Sequence, residues 1–258
     1  MSTERKAKSS GWLKWLARAL LFVAVLLLGP LSVLVFGDLD LDTPWRNASR
    51  ASSGQAPDPR LEPAALVMVY GARANTWRGA FAIHSWIATK RRDAEEYTVY
   101  QALEWDHPVV MAQKSLPDLL WYGARPELLL ERRGPGVDAL IDRIEAAVAS
   151  YPYVNEYRVW PGPNSNTFTA FVARQVPELG LDLPPTAIGK DYLPDGHLID
   201  RMPSGTGWQV SLYGLLGIGY AREEGIELNI LGLAVGIDFD DYALRLPGVG
   251  LFSVLPRG

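Results

Sequence analysis

The sequence predicts an α+β domain, an antiparallel sheet with packed helices, preceded by one transmembrane helix and followed by a glycine-rich β-hairpin region. Three observations predict it. Residues 19–37 form an uncharged apolar run. Short β-prone apolar segments fill residues 65–113, with a strongly helical segment at 137–150. From residue 208 to 252 glycines recur among Val, Leu, Ile and Tyr, with turn-like stretches between apolar runs.

The amino terminus is read first. Residues 19–37 span a hydrocarbon core of ~30 Å at ~1.5 Å per residue. Arg5, Lys6, Lys8, Lys14 and Arg18 precede the run and Asp38, Asp40 and Asp42 follow it, so the positive-inside rule puts residues 1–18 in the cytoplasm and the rest across the membrane. Trp12, Trp15 and Trp45 suit the two interfaces. A cleaved signal peptide competes, and Gly29-Pro30 interrupts the helix. The run exceeds the roughly 7 to 15 residues of a signal h-region and no Ala-x-Ala follows, so an uncleaved anchor is expected. The chain has no cysteine, which excludes a lipoprotein attachment and any disulfide. Residues 38–64, rich in Ala, Ser, Pro and Gly, read as a flexible tether. The remainder, in a chain of 258 residues that is 48% hydrophobic with nine tryptophans, suffices for one sizeable domain at 65–190 and a β-rich extension at 191–258. A net charge of −4 gives no reason to expect nucleic acid.

Within the domain, residues 65–70, 80–88, 97–105 and 109–113 read as strands. Residues 118–132 are ambiguous, because Gly123 and Pro126 break an otherwise apolar segment. In the helix at 137–150, Val137, Leu140, Ile141, Ile144 and Val148 share one face. A strand at 156–160 then leads through Pro161-Gly162-Pro163 into a second helix that begins Asn164-Ser165-Asn166-Thr167-Phe168.

That helix start carries the chemistry. Ser165 sits where free backbone N–H groups and the helix dipole favour developing negative charge, a common place for a nucleophile. Asn164 and Asn166 flank it as candidate substrate-binding groups. The competing reading, of equal weight, is that the serine or its neighbour only caps the helix. Upstream, His84 lies in an apolar strand and could serve as general base; such a histidine is as often a hydrogen-bonded core residue. A third polar group would orient the base. Tyr100, Gln101 and Glu104 are the candidates in the next strand, with Glu104 chosen as the orienting residue and Tyr100, on the same face, as a substrate contact.

A strand histidine followed much later by Asn-Cys-x-x-Phe at a helix start resembles the circularly permuted papain-like fold, related to the NlpC-type cell-wall peptidases and including lecithin retinol acyltransferase. Over roughly residues 66–176 the chain more specifically resembles the bacterial membrane-anchored family known as domain of unknown function 3750. The resemblance implies a papain-like sheet and helix, with His84 and Ser165 in the order of the permuted enzymes and amide or ester bonds of peptidoglycan peptides or lipids as substrates. Serine stands where those enzymes carry cysteine, so attack would need true general-base assistance, because a serine lacks the low thiol pKa.

No metal or cofactor is expected. The three histidines lack zinc-ligand spacing, and the aspartates at 238–241 lack the spacing and glycine of a calcium loop. The glycine-rich runs at 215–219 and 231–236 are too short to span a membrane; they could rest on the bilayer, but packing against the domain is expected. Two function classes remain: an inner-membrane, periplasm-facing hydrolase or acyl transferase with Ser165, His84 and helix-start N–H groups, or a catalytically silent domain that binds envelope ligands or serves a structural role.

Overall fold

The computed structural model describes residues 11–253; the expected basic residues Arg5, Lys6 and Lys8 lie outside the described residues. Helix α1 spans Gly11–Phe36 with Pro30 inside it and is long and apolar enough to cross a membrane. Past Phe36 the chain meets the domain as early as Leu39, whose side chain lies against Gly79. Where a flexible tether was expected, the chain is fastened. The Asp118 carboxylate accepts from the hydroxyls of Ser52 and Ser53 and from the backbone N–H groups of Gln55 and Ala56. Those hydrogen bonds hold the Asp118 carboxyl below its usual range against the opposing and larger single effect of burial.

The domain sheet has the order β4-β3-β2-β1-β5. Its strands are β1 (Leu66–Arg73), β2 (Ile83–Lys90), β3 (Thr98–Ala102), β4 (Val110–Lys114) and β5 (Glu127–Arg133), paired antiparallel throughout. The interior strand β1, between β2 and β5, is buried on both faces, so its sequence is a continuous apolar run rather than an alternation. One face, with Val67, Val69 and Ile87, packs on α2 (Val137–Ala149) and α3 (Ser165–Gln175) through Ile141, Ile144, Phe168 and Val172. The other face, with Met68, Tyr70, Trp86 and Tyr97, is covered by the fastened segment near Ala56 and by Trp121. The ambiguous residues 118–132 divide into a turn around Trp121 and Tyr122 and the edge strand β5.

The expected strand at 156–160 is irregular. The backbone N–H of Arg158 donates to the Pro163 carbonyl, so the segment folds back on the turn that follows instead of entering a ladder.

The extension forms a separate seven-stranded meander, β6 (Ile199–Arg201), β7 (Gly207–Leu212), β8 (Leu216–Ala221), β9 (Gly225–Ile230), β10 (Leu233–Asp238), β11 (Ala243–Leu246) and β12 (Gly250–Ser253). Its alternation is inverted. In β7 Gln209 and Ser211 are buried while Trp208, Val210 and Leu212 are exposed. The inward polar face is joined to the domain by ions: Arg245 makes a bidentate pair with Asp182 at 2.7 Å, meets Glu227 at 2.9 Å and Asp238 at 3.2 Å, and donates to the Leu183 carbonyl. Lys190 pairs with the same Glu227 and with Asp191, which accepts from Asn229. Burial alone would raise the Glu227 carboxyl; the two cations against it overcome that and hold it low.

Candidate functional site

Helix α3 starts where it does because Asn164 closes a full capping box. Its side-chain oxygen accepts from the N–H groups of Asn166 and Thr167, and the Thr167 hydroxyl accepts from the Asn164 N–H. The Asn164 side-chain amide donates to the Val159 and Ile188 carbonyls. Gly189, at φ +101°, lies so close to that amide that any side chain there would collide with it. Asn166 is equally committed: it donates to the Ile83 and Ile188 carbonyls and accepts from Ser85. The two asparagines expected to bind substrate therefore border the site, but their polar atoms are engaged within the fold, Asn164 in the cap and the Val159 and Ile188 carbonyls and Asn166 in holding α3 to β2. Because Asn164 is the cap, the Ser165 hydroxyl is free of that duty.

Ser165 is buried, and its hydroxyl and backbone N–H lie against the Tyr157 hydroxyl. Burial raises the Tyr157 pKa, the two Ser165 contacts oppose it, and Glu104 adds to the rise. Tyr157 is a neutral phenol at physiological pH.

His84 stands near the start of β2. Strand alternation turns it away from α3, which is contacted by Ser85, and toward Trp86 and Trp121. Its ring stacks on Trp121 at 3.7 Å between centroids with a 4° interplanar angle. Nε2 lies 3.0 Å from the Gln101 side-chain oxygen. An amide oxygen only accepts, so Nε2 carries the hydrogen and Nδ1 of the neutral ring keeps its lone pair. Burial lowers the His84 pKa to about 4, against a smaller opposing effect of the Gln101 bond.

His84, Glu104, Tyr157, Asn164, Ser165 and Asn166 line one cleft of about 820 Å³, walled largely by aromatic rings that include Trp77, Trp105, Trp121 and Trp160. Among the described residues no hydrogen bond joins His84 to Ser165. The side chain hydrogen-bonded to His84 is Gln101, where Glu104 was expected. Strand β3 ends at Ala102, so Glu104 lies in the following turn and reaches the cleft from there, exposed. Tyr100 is also displaced from its expected role: Ile87 pairs with Tyr100, which puts the tyrosine on the α2 side, where its hydroxyl meets Glu145 at 3.3 Å. The same register sets Gln101 opposite Trp86 on the His84 face. Gln101 was among the sequence candidates, but choosing it required that register; Tyr157 carried no local signal. Among the described residues no group of three or more His, Asp or Glu side chains is arranged to hold a metal.

The cleft lies beside α1. Helix α1 packs on the short 3-10 turn Thr76–Ala80 that carries Trp77, and Leu231 of the β9–β10 turn and Leu233 of β10 also line the cleft.

A family model described as "Protein of unknown function (DUF3750)" matches residues 64–192, half of the chain. No curated protein and no solved structure matches.

Proposed function

The chain belongs to the DUF3750 family of proteins of unknown function, and from its cleft we propose a serine-dependent hydrolase or acyl transfer enzyme acting on amide or ester bonds of envelope peptides or lipids, in a bacterial inner membrane with the domain on the periplasmic side. The observation that carries this reading is the neutral, Gln101-oriented His84 sharing one cleft with a Ser165 relieved of capping. The Ser165 proton would pass to His84 Nδ1 as Oγ attacks the carbonyl carbon, and would then go to the leaving group. The helix-start N–H groups of Asn166 and Thr167 are used by Asn164. The donor left for the oxyanion is the Tyr157 hydroxyl, whose oxygen accepts from the Ser165 N–H. The aromatic walls and the neighbouring anchor favour an amphiphilic substrate close to the membrane.

A second reading, a catalytically silent domain that binds such ligands, is favoured by the Ser165–Tyr157 contact and by the placement of His84 and α3 on opposite faces of β2. Fluorophosphonate treatment of the full chain in membranes separates the two. The enzyme reading expects an adduct mapped to Ser165 and lost in Ser165→Ala, whose stability falls by less than about 1 kcal/mol because Asn164 holds the cap. An intact chain that takes up no adduct leaves the binding reading.

A further inference from the structure

We propose that the outward face of the carboxyl-terminal sheet lies on the lipid bilayer, as a second membrane contact beside α1. Antiparallel register aligns its exposed side chains into transverse rows. One row runs through Trp208, Tyr220, Ile226, Ile237, Leu244 and Phe252, each directly opposite the next. A second runs through Val210, Ile218, Leu228 and Val235. The six residues of the first row are between 38% and 66% exposed, with Trp208 at 60% and Tyr220 at 66%. A soluble sheet turns such rows inward. Here the inward face is occupied by the Arg245, Glu227 and Lys190 ions, and the apolar side chains are left outside.

The occupant follows from what adjoins the face. The β11–β12 turn is locked to the anchor: Gly29 has no room for a side chain against Pro247, nor Gly248 against Pro30 and Ala80. Arg73 adds hydrogen bonds to the Gly248 and Val249 carbonyls, at 2.5 and 3.2 Å. The apolar face is thus continuous with an element apolar enough to sit in lipid. No carboxylate falls in either row. The charge that does, Arg201 opposite Trp208, stacks its guanidinium over that indole at 5.5 Å, at the edge of the sheet, where an anionic headgroup would meet it. Flat adsorption would also bring Leu231 and Leu233, at the cleft rim, down to the level of the acyl chains.

The native chain has no cysteine, so single spin labels report cleanly. Full-length Ile218→Cys and Val210→Cys are labelled and reconstituted in vesicles of phosphatidylethanolamine and phosphatidylglycerol, with Glu96→Cys on the domain surface as control. Labels at 218 and 210 are expected to collide with oxygen more than with a water-soluble nickel chelate, the reverse of the label at 96. Nickel access at 218 and 210 equal to that at 96 overturns the proposal, since the face is then in water. Exclusion of both reagents overturns it as well; with spin–spin broadening it assigns the face to a second copy, and without broadening to another protein surface.

Discussion

Arg245→Ala is expected to lose about 3–5 kcal/mol of folding stability, enough to unfold the carboxyl-terminal sheet from the domain under mild denaturant. The guanidinium is fully buried and faces three carboxylates, from Asp182, Glu227 and Asp238. Its removal leaves Glu227 with Lys190 alone and leaves Asp182 and Asp238 without the cation they share. Burial already raises the Asp182 carboxyl despite Arg245, so Asp182 is expected to take up a proton once the guanidinium is gone. Arg245→Lys keeps the charge but cannot form the bidentate pair with Asp182, and is expected to recover only part of the loss. Tryptophan-fluorescence denaturation of the full chain in mild detergent measures both; an Arg245→Ala curve superposed on that of the native chain would mean that the sheet is held by other contacts.

His84 is expected to give the protein an acid-sensitive window. In the unfolded chain the imidazole takes a proton near pH 6.5, whereas burial holds the folded pKa at about 4. The folded state therefore favours the neutral ring. The stabilisation is complete above pH 6.5 and is lost as the pH falls from 6.5 to 4, on the order of 3 kcal/mol in all. Carboxylates titrate at the lower end of this window too, so the quantity to measure is the difference between the stability curves of the native chain and His84→Gln. That difference should slope between pH 6.5 and 4 and be flat above 7. A flat difference throughout would show that water reaches the ring.

The legible parts of this molecule were those governed by local rules. An uncharged run with basic residues before it and acidic residues after it reads as a membrane-length helix without any tertiary knowledge. The face formed by Val137, Ile141 and Ile144 fixes α2, and the prolines before Asn164 mark the start of α3. What escaped depends on which strand meets which. The β2–β3 register that sets Gln101 beside His84 and sends Tyr100 to Glu145 is written in no single segment. The strand expected at 156–160 failed because the Pro163 carbonyl claims the Arg158 N–H. In β7 the alternation Trp-Gln-Val-Ser-Leu was plain, yet its polarity was reversed by buried ions contributed from residues 182 to 245.

The central claim is that His84 acts on Ser165 across their shared cleft, and the rate of fluorophosphonate attachment to Ser165 at neutral pH tests it most directly. His84→Gln is expected to slow that reaction by roughly 10²- to 10⁴-fold, the contribution of a positioned general base, while the protein stays folded. Attachment at an unchanged rate in His84→Gln, or none in the native chain, would contradict it.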